Sequence, residues 1–317
     1  MTGGNGYIGR FCVHQLRSAG HSVTVLDRTV AARTNNALGS VRGDIADQQL
    51  VVRLLHEQGI ETVLHLAADK SVEESMQLPG PHLRNNVAGS LTLLEAMRIA
   101  GVRRIVFSSS AAVYGVPSQL PVTEDTPLLP VNPYGAGKAM VEQILHWYHV
   151  CHGFVAISLR YFNAAGAAPD GSMGEDWTGA ANLVPRVMKA LLGASDALPV
   201  YGTDFPTPDG TAIRDYVHVE DLAEAHVRAL ELVMENEGDW AVNLGAGQGH
   251  SVREVIDAAE RASGRVVPAF DAPRRPGDPP AIWADTSHAR RLLDWRAERD
   301  LDEIVRTAWL WHSRSGG

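Results

Sequence analysis

Apolar and polar positions follow two distinct rhythms along the first two-fifths of the chain. Residues 21–27 alternate at period two, carry β-branched side chains and end in an acid, Asp27. Residues 61–66 and 104–108 are short apolar runs, as strands buried on both faces require. Between these runs, residues 9–19, 48–58 and 86–99 repeat apolar positions every three and four, which is the spacing of one helix face. Such strand–helix–strand alternation predicts a parallel sheet with right-handed crossovers, and hence a doubly wound α/β fold.

The later chain is less regular. Strands are expected at 157–161, 198–201 and 240–244, separated by loops rich in Gly and Pro. Residues 164–178 are small and polar, 204–210 read as a turn, and 272–280 hold too much Pro and Arg for an element interior. Loops carried by a rigid sheet are where ligand contacts usually sit. At 317 residues the chain exceeds one typical domain, so two are expected.

Composition acts mainly by exclusion. A 45% hydrophobic and 21% charged chain has the balance of a soluble enzyme rather than of a disordered segment. Its formal charge is −9, and its basic residues form only pairs such as Arg103-Arg104, which argues against a nucleic-acid partner. The two cysteines, Cys12 and Cys151, rule out a disulfide framework or a cysteine-rich zinc site. Both fall in helical contexts and read as buried small residues. No run approaches the ~20 apolar residues of a membrane span, and the start shows no signal-peptide pattern, so a cytoplasmic location with no membrane partner is expected. The thirteen histidines lack metal-binding spacing, so no metal is expected. His218, Trp309 and Trp311 read as packing residues.

Candidate chemistry begins at the N-terminus. Residues 2–9 read TGGNGYIG, with Gly3, Gly6 and Gly9 opening an amphipathic helix. Glycines so spaced let a backbone turn tightly and approach a pyrophosphate, while the helix start offers unpaired N–H groups to phosphates. Asp27 closes the next strand at about the right distance to accept from ribose hydroxyls, which favours NAD over NADP. Arg28 beside it is the one contrary sign. A glycine loop should follow a strand, and here only Met1 precedes Thr2. The central strand is therefore expected to be missing from this numbering, or its slot to be filled by another segment.

A second constellation lies downstream. Tyr134 and Lys138 open a helix running to about residue 150 and point the same way, being four residues apart. A free phenol titrates near ~10, and a neighbouring lysine cation and oxidised nicotinamide would favour phenolate, as a base requires. Ser108, Ser109 and Ser110 end a buried strand, at the carboxyl edge where α/β sheets bind ligands. Alone, a Tyr and Lys four apart usually mark a solvated helix face, and three serines a turn. Together, downstream of a glycine loop, they point to hydride chemistry.

These motifs make the chain resemble the UDP-glucose 4-epimerases, a family of extended short-chain dehydrogenase/reductases. The resemblance runs through TGGNGYIG, LHLAADKSVEES, NNVAGS, FSSSAAVYG, PYGAGK, LRYFNAAGA, GTAIRDYVHVEDLA, NLGAGQGHSV and RRPGDPPAIWAD. The departures are the absent first strand and a short segment after Asp27. The resemblance implies a Rossmann-like sheet over residues 1–163 and 215–245, with a smaller sugar-nucleotide domain over 164–214 and 246–317. It implies Ser110 and Tyr134 as catalytic hydroxyls, with Lys138 on the nicotinamide ribose. Further NAD contacts would come from Tyr7, Ile8, Asp44, Ile45, Lys70, Asn85, Ser108 and Tyr161. A UDP-sugar would be held by Asn163, Asn182, Leu183, Tyr201, Arg214, Arg275 and Asp278. In this family the residue before the Trp of PPAIWAD flanks the sugar's 2-substituent, and here it is Ile282.

The resemblance also implies a homodimer through the helices near 86–99 and 134–150. Val87, Leu91, Leu94, Met140 and Ile144 suit that seam, and suit a sheet-facing stripe equally well. The nearest rival activity is a sugar-nucleotide 4,6-dehydratase, which needs an acid pair after the serine strand where this chain has Ala111 and Ala112. A dinucleotide-binding relative without catalysis is the rival of another class.

Overall fold

The computed structural model describes residues 1–29, 39–179, 182–275 and 277–315. Strands β1 (Val25–Asp27) and β2 (Ser40–Arg42) pair in parallel. So do β3 (Thr62–His65), β4 (Arg104–Ser110) and β5 (Val155–Tyr161). Met1 and Thr2 stand between the two groups. The Thr2 N–H donates to the Leu64 carbonyl at 2.9 Å, the Leu66 N–H donates to the Thr2 carbonyl at 3.1 Å, and the Leu26 N–H donates to the Met1 carbonyl at 2.8 Å. The slot that the sequence leaves without a strand is thus spanned by two residues, which satisfy the facing backbone groups of β1 and β3 at that level.

The crossovers are helical. Helix α1 (Tyr7–Ser18) follows the glycine loop, α2 (Gln48–Glu57) follows β2, and the short helices α3 (Val72–Gln77) and α4 (Pro79–Leu83) follow β3. A π-helical turn, Arg84–Ala88, leads into α5 (Gly89–Ala100). Helix α6 (Pro133–His152) joins β4 to β5, with Pro133 in its first turn and the Asn132 side chain capping the Gly135 N–H at 2.8 Å. Gly153 closes it in the left-handed conformation at φ 66°.

Beyond β5 the chain leaves the sheet and returns. Strand β6 (Asn163–Ala165), helix α7 (Leu183–Leu191), β7 (Leu198–Tyr201), β8 (Ile213–Arg214) and β9 (Tyr216–His218) precede α8 (Val219–Glu235). Strand β10 (Asp239–Leu244) then pairs with β5 in parallel, so the sheet reads β2-β1-(Met1, Thr2)-β3-β4-β5-β10. Strand β11 (His250–Ser251), α9 (Val252–Ser263), β12 (Ala269–Ala272), β13 (Ala281–Ile282), α10 (Ser287–Leu293) and α11 (Leu301–Ser315) complete the chain. Strand β8 is flanked by β11 and β13, while β7 pairs with β12.

Alternate residues of β4 explain the two-sided core. Val106 joins Ile157, Leu159, Leu222 and Val242 on one face, while Ile105 and Phe107 join Val63, Leu93, Val141 and Leu145 on the other. A separate apolar cluster draws together α7, α9 and α11 through Val187, Met188, Val255, Ile304 and Val305. Cys12 is buried as expected, whereas Cys151, in the last turn of α6, is exposed, because it falls on the helix face of Trp147 and Val150, opposite buried Leu145 and Tyr148. His218 caps α8 through the Glu220 N–H, and Trp311 donates its indole N–H to the Glu175 carbonyl at 2.9 Å, so both are structural. The helical stripe expected at the seam divides: Leu94 is buried, Val87 and Ile144 are half-buried, and Leu91 and Met140 are exposed. Among the described residues, no helix is long and apolar enough to cross a membrane, and no cluster of metal-ligating side chains occurs.

Candidate active site

A cleft of about 650 Å³ opens along the carboxyl ends of the strands. One half is walled by the glycine loop. Gly3 adopts φ +72°, and a Cβ there would stand 2.6 Å from the Ala67 backbone N, so only glycine fits between the loop and the strand end. Helix α1 starts from Gly6, which offers no side-chain cap, so its first N–H groups face the cleft unsatisfied by side chains. Asp27 is fixed by the Asn5 N–H at 3.0 Å and by the Thr29 N–H and hydroxyl at 2.9 Å each. Three of the carboxylate's roughly four lone-pair sites are thereby taken, and Oδ2 keeps one for a ribose hydroxyl. Gly6, Tyr7, Ile8, Gly9, Asp44, Ile45 and Asn85 line the same half.

Two charged residues here have partners that the sequence does not reveal. Arg28 reaches across to Asp69 at 3.0 Å and Asn85 at 3.2 Å, so it is not a free cation beside Asp27. Lys70 borders the cleft but pairs at 2.7 Å with Glu175, which is buried. Asn85 is delivered by the π-helical turn, a local distortion common at functional sites. Its neighbour Asn86 clamps the loop after β3, accepting from the Asp69 N–H at 2.8 Å and donating to the Asp69 carbonyl at 2.9 Å.

The reacting end lies where β4 meets α6. The Ser110 hydroxyl accepts from the Ala112 N–H at 3.2 Å and borders the cleft beside Tyr134. With the backbone N–H already donating to it, the serine keeps its own proton free to donate. Burial pushes the Tyr134 phenol above its ordinary value, and Ser110 works against that rise. Lys138, one turn along, is buried, with Nζ 2.7 Å from the Ser108 carbonyl and 5.8 Å from the Tyr134 ring centre. Burial lowers its ammonium to about 8, with Glu142 opposing the fall. Tyr161 and Asn163, from β5 and the start of β6, close this end. Ala111 and Ala112 also face the cleft and carry no group that transfers protons.

The far half is bordered by Asn182, Arg214, Asp278 and Ile282. Arg214 donates to Asp278 at 3.2 Å and to the Ile213 carbonyl at 2.8 Å, which orients it along β8. Behind that strand, Asp215 is fully buried and accepts from the N–H groups of Ala246 at 2.7 Å, Gly247 at 3.1 Å and Ala284 at 3.1 Å. It staples three loops, and burial pushes it up to about 6.

Four expected contacts lie off the cleft wall. Ser108 is buried, turned toward Tyr161 and His226. Leu183 heads α7 and packs into the α7–α9–α11 cluster, because an apolar side chain at a helix start turns to the core. Tyr201 and Arg275 stack on each other, the guanidinium 3.9 Å from the ring centre, with Arg186 at 5.6 Å from the same ring. They stand next to the wall at Gly277 and Asp278 rather than in it. The sequence reading missed Asn5, Gly43, Ala67, Ala68, Val131 and Asn132, all of which line the cleft. Ala67 and Ala68 end a strand run and could have been found there, as Asn132 could from its capping position.

The model of the NAD dependent epimerase/dehydratase family matches residues 1–245. The chain is 43% identical over 316 residues to the UDP-glucose 4-epimerase of Lacticaseibacillus casei, covering 98% of this chain and 96% of that one. Among solved structures, it is similar to UDP-glucose-4-epimerase from Stenotrophomonas maltophila with bound NAD and formylated UDP-arabinopyranose. The TM-score is 0.95 at 39% identity, with 99% of this chain and 97% of that one covered. It is also similar to UDP-glucose 4-epimerase from Bifidobacterium longum in complex with NAD+ and UDP, with TM-score 0.94, 40% identity, and 99% and 98% of the two chains covered.

Proposed function

The chain belongs to the NAD dependent epimerase/dehydratase family, and on that footing we propose that it interconverts UDP-galactose and UDP-glucose by epimerisation at C4. The observation that carries this reading is the convergence of Ser110, Tyr134 and Lys138 at one end of a glycine-walled cleft. The cleft's donor set fits NAD: a glycine cradle that a Cβ would fill, an uncapped helix start for phosphates, and a carboxylate for ribose hydroxyls. Gly3, Gly6, Tyr7, Ile8, Gly9, Asp27, Asp44, Ile45 and Asn85 would hold it, with Lys138 at the nicotinamide ribose. Bound NAD supplies the hydride acceptor and donor.

The chain's residues do the rest. Tyr134 takes the proton of the sugar 4-hydroxyl, and Ser110 hydrogen-bonds the phenol oxygen and shuttles the proton. The Lys138 ammonium counters the burial that disfavours phenolate. Arg214, oriented by its pair with Asp278, and Arg275, beside the wall, are the groups for the UDP portion, since planar guanidinium forks bind phosphate oxygens bidentately. Anchored there, the 4-keto sugar turns about its link and presents its other face. Asn163, Asn182 and Ile282 border the sugar. Ala111 and Ala112 tell against a dehydratase, which needs proton-transferring groups there.

In this reading residues 1–163 and 215–245 carry NAD, and 164–214 and 246–317 carry the sugar nucleotide. A homodimer through α5 and α6 belongs with it, supported by exposed Leu91, Ile99, Met140, Trp147 and Val150 on those helices. A single-chain mass in light scattering would remove that part. A cytoplasmic location is supported by two free thiols, and cell fractionation checks it. The main test is to purify the protein, assay it for bound NAD and incubate it with UDP-galactose. Bound NAD and conversion to UDP-glucose without added reductant are expected, and failure of both would refute the reading.

A further inference from the structure

His82, on α4, does not line the cleft, yet it touches two residues that govern it. Its ring meets the Tyr134 ring edge-on, with centres 6.0 Å apart and planes at 74°. Its Nε2 lies 2.9 Å from the side-chain nitrogen of Asn86, and both residues are buried. The backbone of Asp69 decides which group donates in that bond. The Asp69 N–H donates to one end of the Asn86 amide at 2.8 Å, so that end is oxygen. The Asp69 carbonyl accepts from the other end at 2.9 Å, so that end is nitrogen. An amide nitrogen has only protons to offer, so Nε2 must supply the lone pair and the imidazole must be neutral.

A proton added at Nε2 would set N–H against N–H. The amide cannot turn over to meet it without opposing both backbone groups of Asp69. Asn86 cannot draw back either, because its own carbonyl accepts from the Ser90 hydroxyl at 2.5 Å. The bond would simply be lost, and what it steadies is the NAD half of the cleft. The Asn86 oxygen also accepts from the Asn85 side chain at 3.0 Å, and Asn85 lines the cleft. Asp69 belongs to the loop after β3, whose Ala67, Ala68 and Lys70 line it too. Titratable groups face the ring from three elements: Asp69 on that loop, Glu74 on α3, and Tyr134 and Lys138 on α6. Arg84, on the π-helical turn, is exposed. Burial holds the imidazole below its ordinary value, Asp69 and Glu74 oppose that fall, and the Lys138 ammonium adds to it.

We propose that His82 is a positioning residue, whose neutral ring holds Asn86 and through it the Asn85 side of the cofactor cleft, and that a proton on this ring loosens NAD. The inference rests on the reading of the cleft as an NAD site. It is tested on holoenzyme by the rate at which NAD is lost, read as cofactor retained after gel filtration at intervals. Wild type, His82→Gln and His82→Phe are compared at about pH 8 and about pH 5, either side of the ordinary imidazole value of ~6.5. Glutamine places an amide oxygen near Nε2 that accepts and does not titrate. Phenylalanine keeps a ring edge toward Tyr134 and accepts nothing.

Wild type should lose NAD about three- to tenfold faster at the lower pH than His82→Gln does, the worth of one net hydrogen bond. At the higher pH the two should agree within about twofold, since both accept from Asn86. His82→Phe should lose NAD about three- to tenfold faster than wild type at the higher pH, because its Asn86 nitrogen is never paired. An equal acid acceleration in wild type and His82→Gln, or wild-type retention in His82→Phe, would overturn the inference. If His82→Phe does not fold, the glutamine comparison still decides. Wild type that holds no NAD at either pH would instead overturn the reading of the cleft, and this inference with it.

Discussion

Glu142 and Arg160 form a buried ion pair beside the Ser-Tyr-Lys group, and replacing Glu142 with glutamine exposes what it contributes. Arg160 Nη2 lies 2.6 Å from Glu142 Oε2, with Nε at 3.1 and 3.2 Å from the two oxygens, and each side chain is 8% exposed. Ser109 also donates to Glu142, while Arg160 Nη1 donates to the Tyr114 hydroxyl at 2.9 Å and the Glu124 carbonyl at 3.2 Å. Removing one charge strands the other, which typically costs ~3–5 kcal/mol. Glutamine still accepts from Ser109 and Arg160, so the low end applies, ~3 kcal/mol. At ~2–4 °C per kcal/mol, melting should fall by ~6–12 °C.

Scanning calorimetry at fixed protein and NAD concentrations reads this directly. The paired substitution Glu142→Leu with Arg160→Met removes both charges and should recover most of the loss, because neither is then buried alone. The same change should reach the active site. Glu142 resists the burial-driven fall of the Lys138 ammonium, so without it that cation is lost at lower pH and the alkaline limb of the activity profile moves toward acid. A Glu142→Gln protein melting within ~1 °C of wild type, or a double variant less stable than the single one, would refute the reasoning.

Tyr134→Phe keeps the ring and its packing but removes the proton acceptor, so kcat should fall by about 10²–10⁴ while NAD content stays constant; a steady-state assay with cofactor quantitation checks both. Asp215 is raised from 3.8 to about 6 in the folded state, so its contribution to stability is full below the lower value and lost as pH rises through the upper one. Asp215→Asn should lack that loss, and melting of both proteins across this interval should show wild type gaining on the variant toward acid. Ile282 is stiff at χ1, so an added N-acetyl group should cost ~1–3 kcal/mol and leave UDP-N-acetylgalactosamine a weak substrate. Ile282→Gly should raise its kcat/KM relative to UDP-galactose, and an unchanged ratio removes Ile282 from the sugar's surroundings.

The sheet was legible because its strands are buried on both faces: the runs at 61–66 and 104–108 fall on β3 and β4. Outside that sheet, the expected 198–201 coincides with β7, whose residues alternate between buried and half-buried. The glycine loop and the Tyr134–Lys138 spacing were legible because backbone approach and helical periodicity write themselves into local sequence. What escaped is set by contacts between distant residues. Nothing near Lys70 announces Glu175, and nothing near Arg28 announces Asp69. Ser108 resembled a ligand contact because it is near the end of a strand, but it lies two residues inside β4, where it is buried against His226, and Ser110 at the strand end meets the cleft. The π-helical turn that delivers Asn85 has no periodic signature in NNVAGS. Cys151 is exposed although helical, because a helical context alone does not say which face a residue occupies. Met1 and Thr2 bridge the slot ahead of the glycine loop through backbone bonds that no side-chain pattern encodes.

The central claim is that hydrogen leaves C4 of the sugar as hydride and returns to the same carbon within one cleft. UDP-galactose deuterated at C4, turned over in ordinary water and followed by mass spectrometry and proton NMR, tests it most directly. The account predicts UDP-glucose that keeps its deuterium at C4 through successive turnovers, with no solvent hydrogen gained there. Washout of the label into water, or a product formed with hydrogen at C4, would contradict it.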